Sequence, residues 1–352
     1  MDTITQAALG AAVGEVGWRR QLGGRGVLWG MICGLLPDLD VVAGLAGPWA
    51  SLVFHRSWTH SLVVLPLVTP LVGWVGKRVN RSDAPLSTWI ALSGWALITH
   101  PLLDVFTTYG TQLFAPLTDR RFSLDGVSIL DPVYTVPLLL ALAVARLRSV
   151  PLRTSRLGVA AALTWGVAYL GLGCAWSEHA RAAGLADLAA QGVLPEAVRT
   201  PPMMLLGPNR KVVARKDGAL WVGVMSAWAD DTVSMRPVDQ QHGPAAQAVL
   251  DTPEGRIWAW FADDYLQIAT EAGADGATTV RLSDQKYGRY LAPTSSVFVV
   301  ESTVSATGLV GEVVQRRNVD GLDVAAEFAA GWALAMGGAE ALNAAAAHPP
   351  GR

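Results

Sequence analysis

The sequence predicts a mainly α-helical membrane protein: a polytopic bundle of about four to six membrane segments followed by a small α+β soluble domain. Three observations support this. The 352 residues are 51% apolar and only 16% charged, too few charges for an ordinary soluble surface. Nearly all long charge-free runs precede residue 177, and most Asp, Glu, Lys and Arg of the remaining chain follow it. The basic residues between the apolar runs fall into three groups: Arg19, Arg20 and Arg25; Lys77, Arg78 and Arg81; and Arg146, Arg148, Arg153 and Arg156.

Each element can be justified in order. Residues 3–14 form a short apolar helix rich in small residues, and 26–50 are uncharged apart from Asp38 and Asp40. Residues 61–76 and 132–145 are short and carry Pro66, Pro70 and Pro137, tolerable where neighbouring helices cover the freed backbone groups. Residues 86–103 carry no charge unless His100 is protonated, and 157–176 supply the roughly 20 apolar residues a crossing needs. This gives four or five crossings and one re-entrant segment. Asp2 stands where a secretory leader would be basic, so an uncleaved N-terminus is expected. With the basic groups in the cytoplasm, residues 48–60, 105–131 and everything after 177 fall on the other side.

The later residues read as a linker helix at 177–200, ended by Pro201-Pro202, an α+β domain at 201–345 and a disordered tail at 346–352 that includes HPPGR. Asp217-Gly218 between apolar runs is a hairpin signal. Asp230-Asp231 and Asp263-Asp264 read as solvated loop carboxylates, and His179, His242 and His348 have no evident partners. A net charge of −2 without a basic tract argues against nucleic acid. Cys33 and Cys174 sit in apolar runs and form neither a disulfide framework nor a C-x-x-C metal motif.

The predicted topology gathers ionisable residues at one membrane face: Asp38 and Asp40; His55 and His60 in HRSWTHS; His100 and Asp104; Asp125 and Asp131. A carboxylate deep in a membrane helix costs about 2.5–3.5 kcal/mol, so it calls for a partner or a task. His100 and Asp104 are spaced i, i+4, on one helical face about 6 Å apart. His55 and His60, five apart, cannot share a face of one regular helix. Asp38, Asp40, His55, His60, His100 and Asp104 are therefore candidate ligands for one divalent metal, or for two a few ångströms apart. Imidazole with carboxylate suits Zn, Mn or Fe. Asp104 or Asp40 is the candidate catalytic base if it does not ligate. Arg56, Arg120 and Arg121 are candidate binders of an anionic substrate group such as a phosphate.

MDTITQAALGAAVGE at the start, LLPDLD at 35–40, HRSWTHSL at 55–62, the stretch from HPLLDVFTTYG through DPVYTVPLL at 100–139, and DQKYGRY at 284–290 resemble the YdjM-like, LexA-regulated inner-membrane proteins described as membrane-bound metal-dependent hydrolases. The resemblance implies a bacterial inner-membrane protein with a metal centre, with Asp38, Asp40, His55, His60, His100 and Asp104 at the motif positions. This sequence departs from some relatives in having Gln6 where they carry histidine. The functional expectation is hydrolysis of a lipid-linked or phosphorylated amphiphile beside the outer headgroups. The alternatives are a non-catalytic metal-binding membrane protein that senses or handles an ion, and a structural scaffold.

Overall fold

A computed structural model describes residues 1–147, 149–318 and 322–347; Arg148 and the closing HPPGR lie outside them. The chain divides into two compact units, residues 1–174 and 175–352.

In the first unit, Asp2 caps helix α1 (Thr3–Val13), its carboxylate accepting from the Ile4 and Thr5 amides at 3.0 Å. A π-helical turn, Gly14–Trp18, leads into α2 (Arg19–Leu35), which breaks at Gly23, where φ is +61°. The chain reverses there, and α2 returns along α1 with glycine facing glycine: a Cβ on Gly14 would stand 2.7 Å from the Gly26 carbonyl oxygen, and one on Gly34 2.5 Å from that of Gln6. Gly10 and Gly30 meet in the same way. Without Cβ atoms the backbones pack directly, the small-residue device of membrane helices.

A ten-residue 3-10 stretch, Pro37–Ala46, carries Asp38 and Asp40 to α3 (Pro48–Phe54). The chain then bends by 75° before α4 (Leu65–Val79), which packs on α5 (Leu86–Asp104). Trp29 and Cys33 of α2 join Trp89, Leu92, Ala96 and Leu97 of α5 in the core. Asp131 caps α6 (Pro132–Val144) by accepting from the Val133 and Tyr134 amides, and the Tyr169 hydroxyl donates to its other oxygen at 3.0 Å. Helix α7 (Leu152–Ala190) follows.

Among the described residues, three stretches are long and apolar enough to cross a membrane: Thr3–Ala46, which contains the reversal at Gly23, Leu86–Asp104 and Leu152–Ala190. A fourth arises if the bent pair Pro48–His60 and Leu65–Val79 acts as one span.

One end of the helices gathers members of all three basic groups. The fully buried Glu15 accepts from Ser155 Oγ at 2.8 Å, pairs with Arg146 and has Arg19 Nε at 3.7 Å. Arg156 donates to the Val16 carbonyl at 3.0 Å and Arg25 to that of Asn80 at 3.2 Å. The Asp and His residues lie at the other end, beside the start of α1.

The second unit holds two four-stranded antiparallel sheets. The first is β1 (Ala197–Arg199), β2 (Asn209–Lys216), β3 (Ala219–Ser226) and β4 (Arg236–Val238), in that order. Asp217 and Gly218, with φ of +49° and +77°, form the expected two-residue turn, and Lys216 pairs with Ala219. Ala180, Ala183 and Leu188 of α7 pack on Val212, Ala214 and Met225 of this sheet. Helices α8 (Pro244–Leu250) and α9 (Pro253–Ala262) precede the second sheet, β5 (Leu266–Ala272), β6 (Thr278–Asp284), β7 (Phe298–Val304) and β8 (Val314–Arg317). Helix α10 (Val324–Ala347) closes the unit.

Two loop carboxylates expected to be solvated are engaged instead. Asp230 accepts from the Ser226 amide at 2.7 Å and from the Ala339 amide, at the Gly338 break in α10, at 3.0 Å. Asp263 pairs with Arg199 and Lys286 at 3.0 Å. His179, which lies outside the clustered histidines, donates through Nε2 to the Asp230 carbonyl at 3.0 Å. Lys211 on β2 is fully buried with its Nζ 2.8 Å from Gln285 Oε1, and burial pulls its ammonium down to about 7.

The glycine contact predicts that Gly30→Val lowers the stability of the detergent-solubilised protein by about 3 kcal/mol or more, because the added side chain meets backbone rather than a movable side chain. Gly17→Ala, facing open space, leaves the unfolding midpoint nearly unchanged. Between pH 7 and 10 the unfolded chain keeps a proton on Lys211 that the folded chain has lost, so this residue makes stability rise with pH over that window. Comparing unfolding midpoints at pH 7 and 9.5 checks this: Lys211→Met shows a smaller rise than the parent.

Candidate metal centre

The site is built from three pieces of the first unit. The end of α5 supplies His100 and Asp104, one helical turn apart; the 3-10 stretch supplies Asp38 and Asp40; HRSWTHS supplies His55 and, in a 3-10 turn at Trp58–His60, His60. The loop after α5 braces this segment: the Gln112 amide donates to the Arg56 carbonyl and the Leu62 amide to that of Leu113, both at 2.9 Å.

Hydrogen bonds to the Nδ1 atoms set both imidazole tautomers. His100 Nδ1 lies 2.6 Å from the Gly34 carbonyl oxygen, which can only accept, so Nδ1 carries the proton. Thr59 Oγ1 donates to Asp40 Oδ2 at 2.9 Å and accepts from His60 Nδ1 at 3.0 Å, so His60 also carries its proton on Nδ1. In the neutral imidazoles both Nε2 atoms therefore present lone pairs, and they face each other at 3.1 Å.

Two carboxylate oxygens converge on the same point. Asp38 Oδ1 lies 3.5 Å from His60 Nε2 and 3.3 Å from His100 Nε2; Asp104 Oδ2 lies 3.3 and 3.5 Å from the same atoms. The Asp38 and Asp104 oxygens are within 4.8 Å of each other. Five of the six separations among these four atoms lie at 3.1–3.5 Å, so the donors surround one small space of the kind a nitrogen- and oxygen-ligated divalent ion occupies. Four lone-pair donors repel one another in a buried site unless a cation or proton lies among them. Asp104 Oδ2 is buried and accepts no hydrogen bond. The residues fit a divalent ion.

The carboxylate of Asp104 is fixed on its far side. Gln6 Nε2 donates to Oδ1 at 3.0 Å, and the Met1 amino nitrogen contacts the same atom. Asp40 is a hub: His55 Nδ1 donates to Oδ1 at 2.8 Å, and the Arg56 amide and Thr59 hydroxyl to Oδ2 at 2.9 Å. Asp38, Asp40 and His55 form a second group able to hold an ion, with Asp38 common to both.

The candidate anion binders part company. Arg56 is buried, with φ of +60°, Nε 3.2 Å from Asp104 Oδ2 and Nη1 donating to Thr107 Oγ1 at 2.7 Å. It faces the carboxylate rather than solvent. Arg56 and Arg121 flank the Tyr109 ring, 4.8 and 4.9 Å from its centroid, and Tyr109 meets His55 edge to face. Arg120 is exposed above Phe122. Asp131 caps α6, and Asp125 belongs to neither metal-competent group. Among the described residues these two groups, both in the first unit, are the ones that could hold a metal.

Sequence reasoning missed the Gly34 carbonyl, Thr59 and Tyr109. The first leaves no trace in residue identity, whereas Thr59 and Tyr109 lie inside or next to motifs already singled out.

The family model for the YdjM inner membrane protein matches residues 1–180. The Escherichia coli inner membrane protein YbcI is 34% identical over 122 residues, covering 34% of this chain and 69% of YbcI. The Bacillus subtilis protein YfhP, named as uncharacterized, is 26% identical over 154 residues, 41% of this chain and 46% of YfhP. No solved structure matches. With the family model spanning the whole helical unit and every residue of the His/Asp cluster, this chain belongs to the YdjM inner membrane protein family.

Proposed function

We propose that the protein is a membrane-bound metal-dependent hydrolase in which Asp38, His60, His100 and Asp104 hold one divalent ion, zinc by donor type, with manganese or iron as alternatives. The observation behind this reading is the convergence of the His60 and His100 Nε2 atoms with one carboxylate oxygen each from Asp38 and Asp104. When bound, the ion supplies a Lewis acid and brings the pKa of a coordinated water to about 7.

The protein's own groups divide the remaining work. Asp104, buried with Oδ2 toward both imidazoles, is a ligand rather than a base. Asp40, with hydrogen-bond donors on both oxygens, orients its neighbours: it reaches His60 through Thr59 and holds His55 by Nδ1. That leaves His55 Nε2 as the proton acceptor, on a side chain 28% exposed. This division replaces the expectation that Asp104 or Asp40 is itself the base. The exposed Arg120, not the inward-facing Arg56, is the guanidinium placed for an anionic substrate, and Arg121 lies beside it on the Tyr109 ring.

An amphiphile suits the surroundings. A cleft of about 180 Å³ lined by Pro37, Trp58, Thr59, Val64, Leu65 and Val68 runs from the centre along α4, apolar enough for a lipid tail whose head reaches Asp38. The basic end of the helices belongs in the cytoplasm by the positive-inside bias, which puts the His/Asp end and residues 201–345 on the outer side. A non-catalytic, ion-handling protein is the second reading. It is favoured by the complete burial of His60, His100 and Asp104, which leaves Asp38 as the one partly exposed ligand.

Purified His60→Ala, His100→Ala and Asp104→Ala should each lose at least about 90% of the bound metal found in the parent; unchanged stoichiometry in all three removes the metal reading. Where metal is lost, turnover of an extracted membrane lipid by the parent supports the hydrolase, and inertness toward every lipid favours ion handling. Reporter fusions at residue 80 and after Thr200 should report opposite sides of the membrane, and a shared side refutes the topology.

A further inference from the structure

The geometry points to a second ligand site, separate from the metal centre: a groove between α1, α2 and α6 that holds an anionic phospholipid, with an acyl chain along the groove and the phosphate at Arg146. The groove has a volume of about 500 Å³. It opens between Thr3, Leu35 and Leu139 at the His/Asp end and runs past Ala7 to Gly24 and Arg146 at the basic end. Its α1 wall from Thr3 to Ala11 is about 12 Å long, and the side chains along it are almost all apolar.

Only one end carries charge. Arg146 lines the groove with its side chain 42% exposed, and it gives one edge of its guanidinium to the buried Glu15. A guanidinium has five N–H donors, so several remain for a phosphate. Arg19 adds a second cation there: its Nη1 lies 3.0 Å from where a Cβ on Gly24 would stand, so the absence of a side chain at Gly24 lets this guanidinium reach the groove mouth. Glu15 offsets one of the two arginines and leaves a net positive mouth on an apolar channel. Basic pockets between membrane helices take anionic headgroups by this complementarity. A neutral or zwitterionic lipid would fill the channel equally well but gain less at its mouth, so the selectivity sits in the arginines and the affinity for any chain in the apolar wall.

The test uses the full-length protein in detergent, offered phosphatidylglycerol or phosphatidylcholine with the same acyl chains, washed, and assayed for retained lipid by mass spectrometry. The parent should retain phosphatidylglycerol over phosphatidylcholine by at least about fivefold. Ala7→Phe, which fills the channel without touching a charge, should lower retained phosphatidylglycerol by a similar factor while far-UV circular dichroism and the gel-filtration profile match the parent. Arg146→Gln should bring phosphatidylglycerol down to the phosphatidylcholine level, and Arg146→Lys should restore part of the preference. Equal retention of the two lipids by the parent overturns the proposal without recourse to any variant, and so does undiminished retention by folded Ala7→Phe.

Discussion

The hydrogen bond from His100 Nδ1 to the Gly34 carbonyl is the point on which fold and site both turn. The carbonyl is within reach because α2 lies against α1 with no side chains between them at Gly10, Gly14, Gly26, Gly30 and Gly34, and because Trp29 and Cys33 seat α2 on α5. The same bond decides which nitrogen of His100 is left bare. Displacing α2 far enough to break this bond would remove what holds the proton on Nδ1. Backbone packing and ligand chemistry are coupled through one proton.

The first unit keeps its charges at its two ends and its core nearly free of them. At one end a buried carboxylate, Glu15, has its own charge fully matched by guanidinium groups and a hydroxyl, with positive charge to spare. At the other end, Asp38 and Asp104 converge on the Nε2 atoms of His60 and His100. Arg56 covers part of the negative charge of Asp104 but lies to one side of the four-atom cluster. A buried charge without a matched partner is expensive. This contrast within one unit is what singles out the second end as the candidate site.

Much of this was legible in the sequence. The i, i+4 spacing of His100 and Asp104, the Asp38/Asp40 pair and the two histidines of HRSWTHS identified the cluster, because residue type and helical period suffice there. The Asp-Gly hairpin and the division into an apolar first half and a β-containing second half were readable for the same reason. The roles inside the cluster were not. Arg56 looked like a free guanidinium because its left-handed backbone and its contact with Asp104, 48 positions away, are tertiary facts. The tautomers depend on a backbone carbonyl and on Thr59, neither of which announces itself in a residue list. Asp230 and Asp263 looked solvated because their partners are distant amides and cations that pattern reading does not reach.

The 3-10 stretch Pro37–Ala46 adds a constraint of another kind. Asp38 turns toward His60 and His100 while Asp40 turns toward His55 and Thr59, and the intervening Leu39 and following Val41 and Val42 stay exposed. With three residues per turn, inserting or deleting one residue rotates everything beyond it by about a third of a circle. The chemistry of the exposed positions is nearly free to vary, since they contribute only apolar surface. The length of this segment is not, because one residue added between Asp38 and Asp40 would turn one carboxylate away from its partners while the other kept its own.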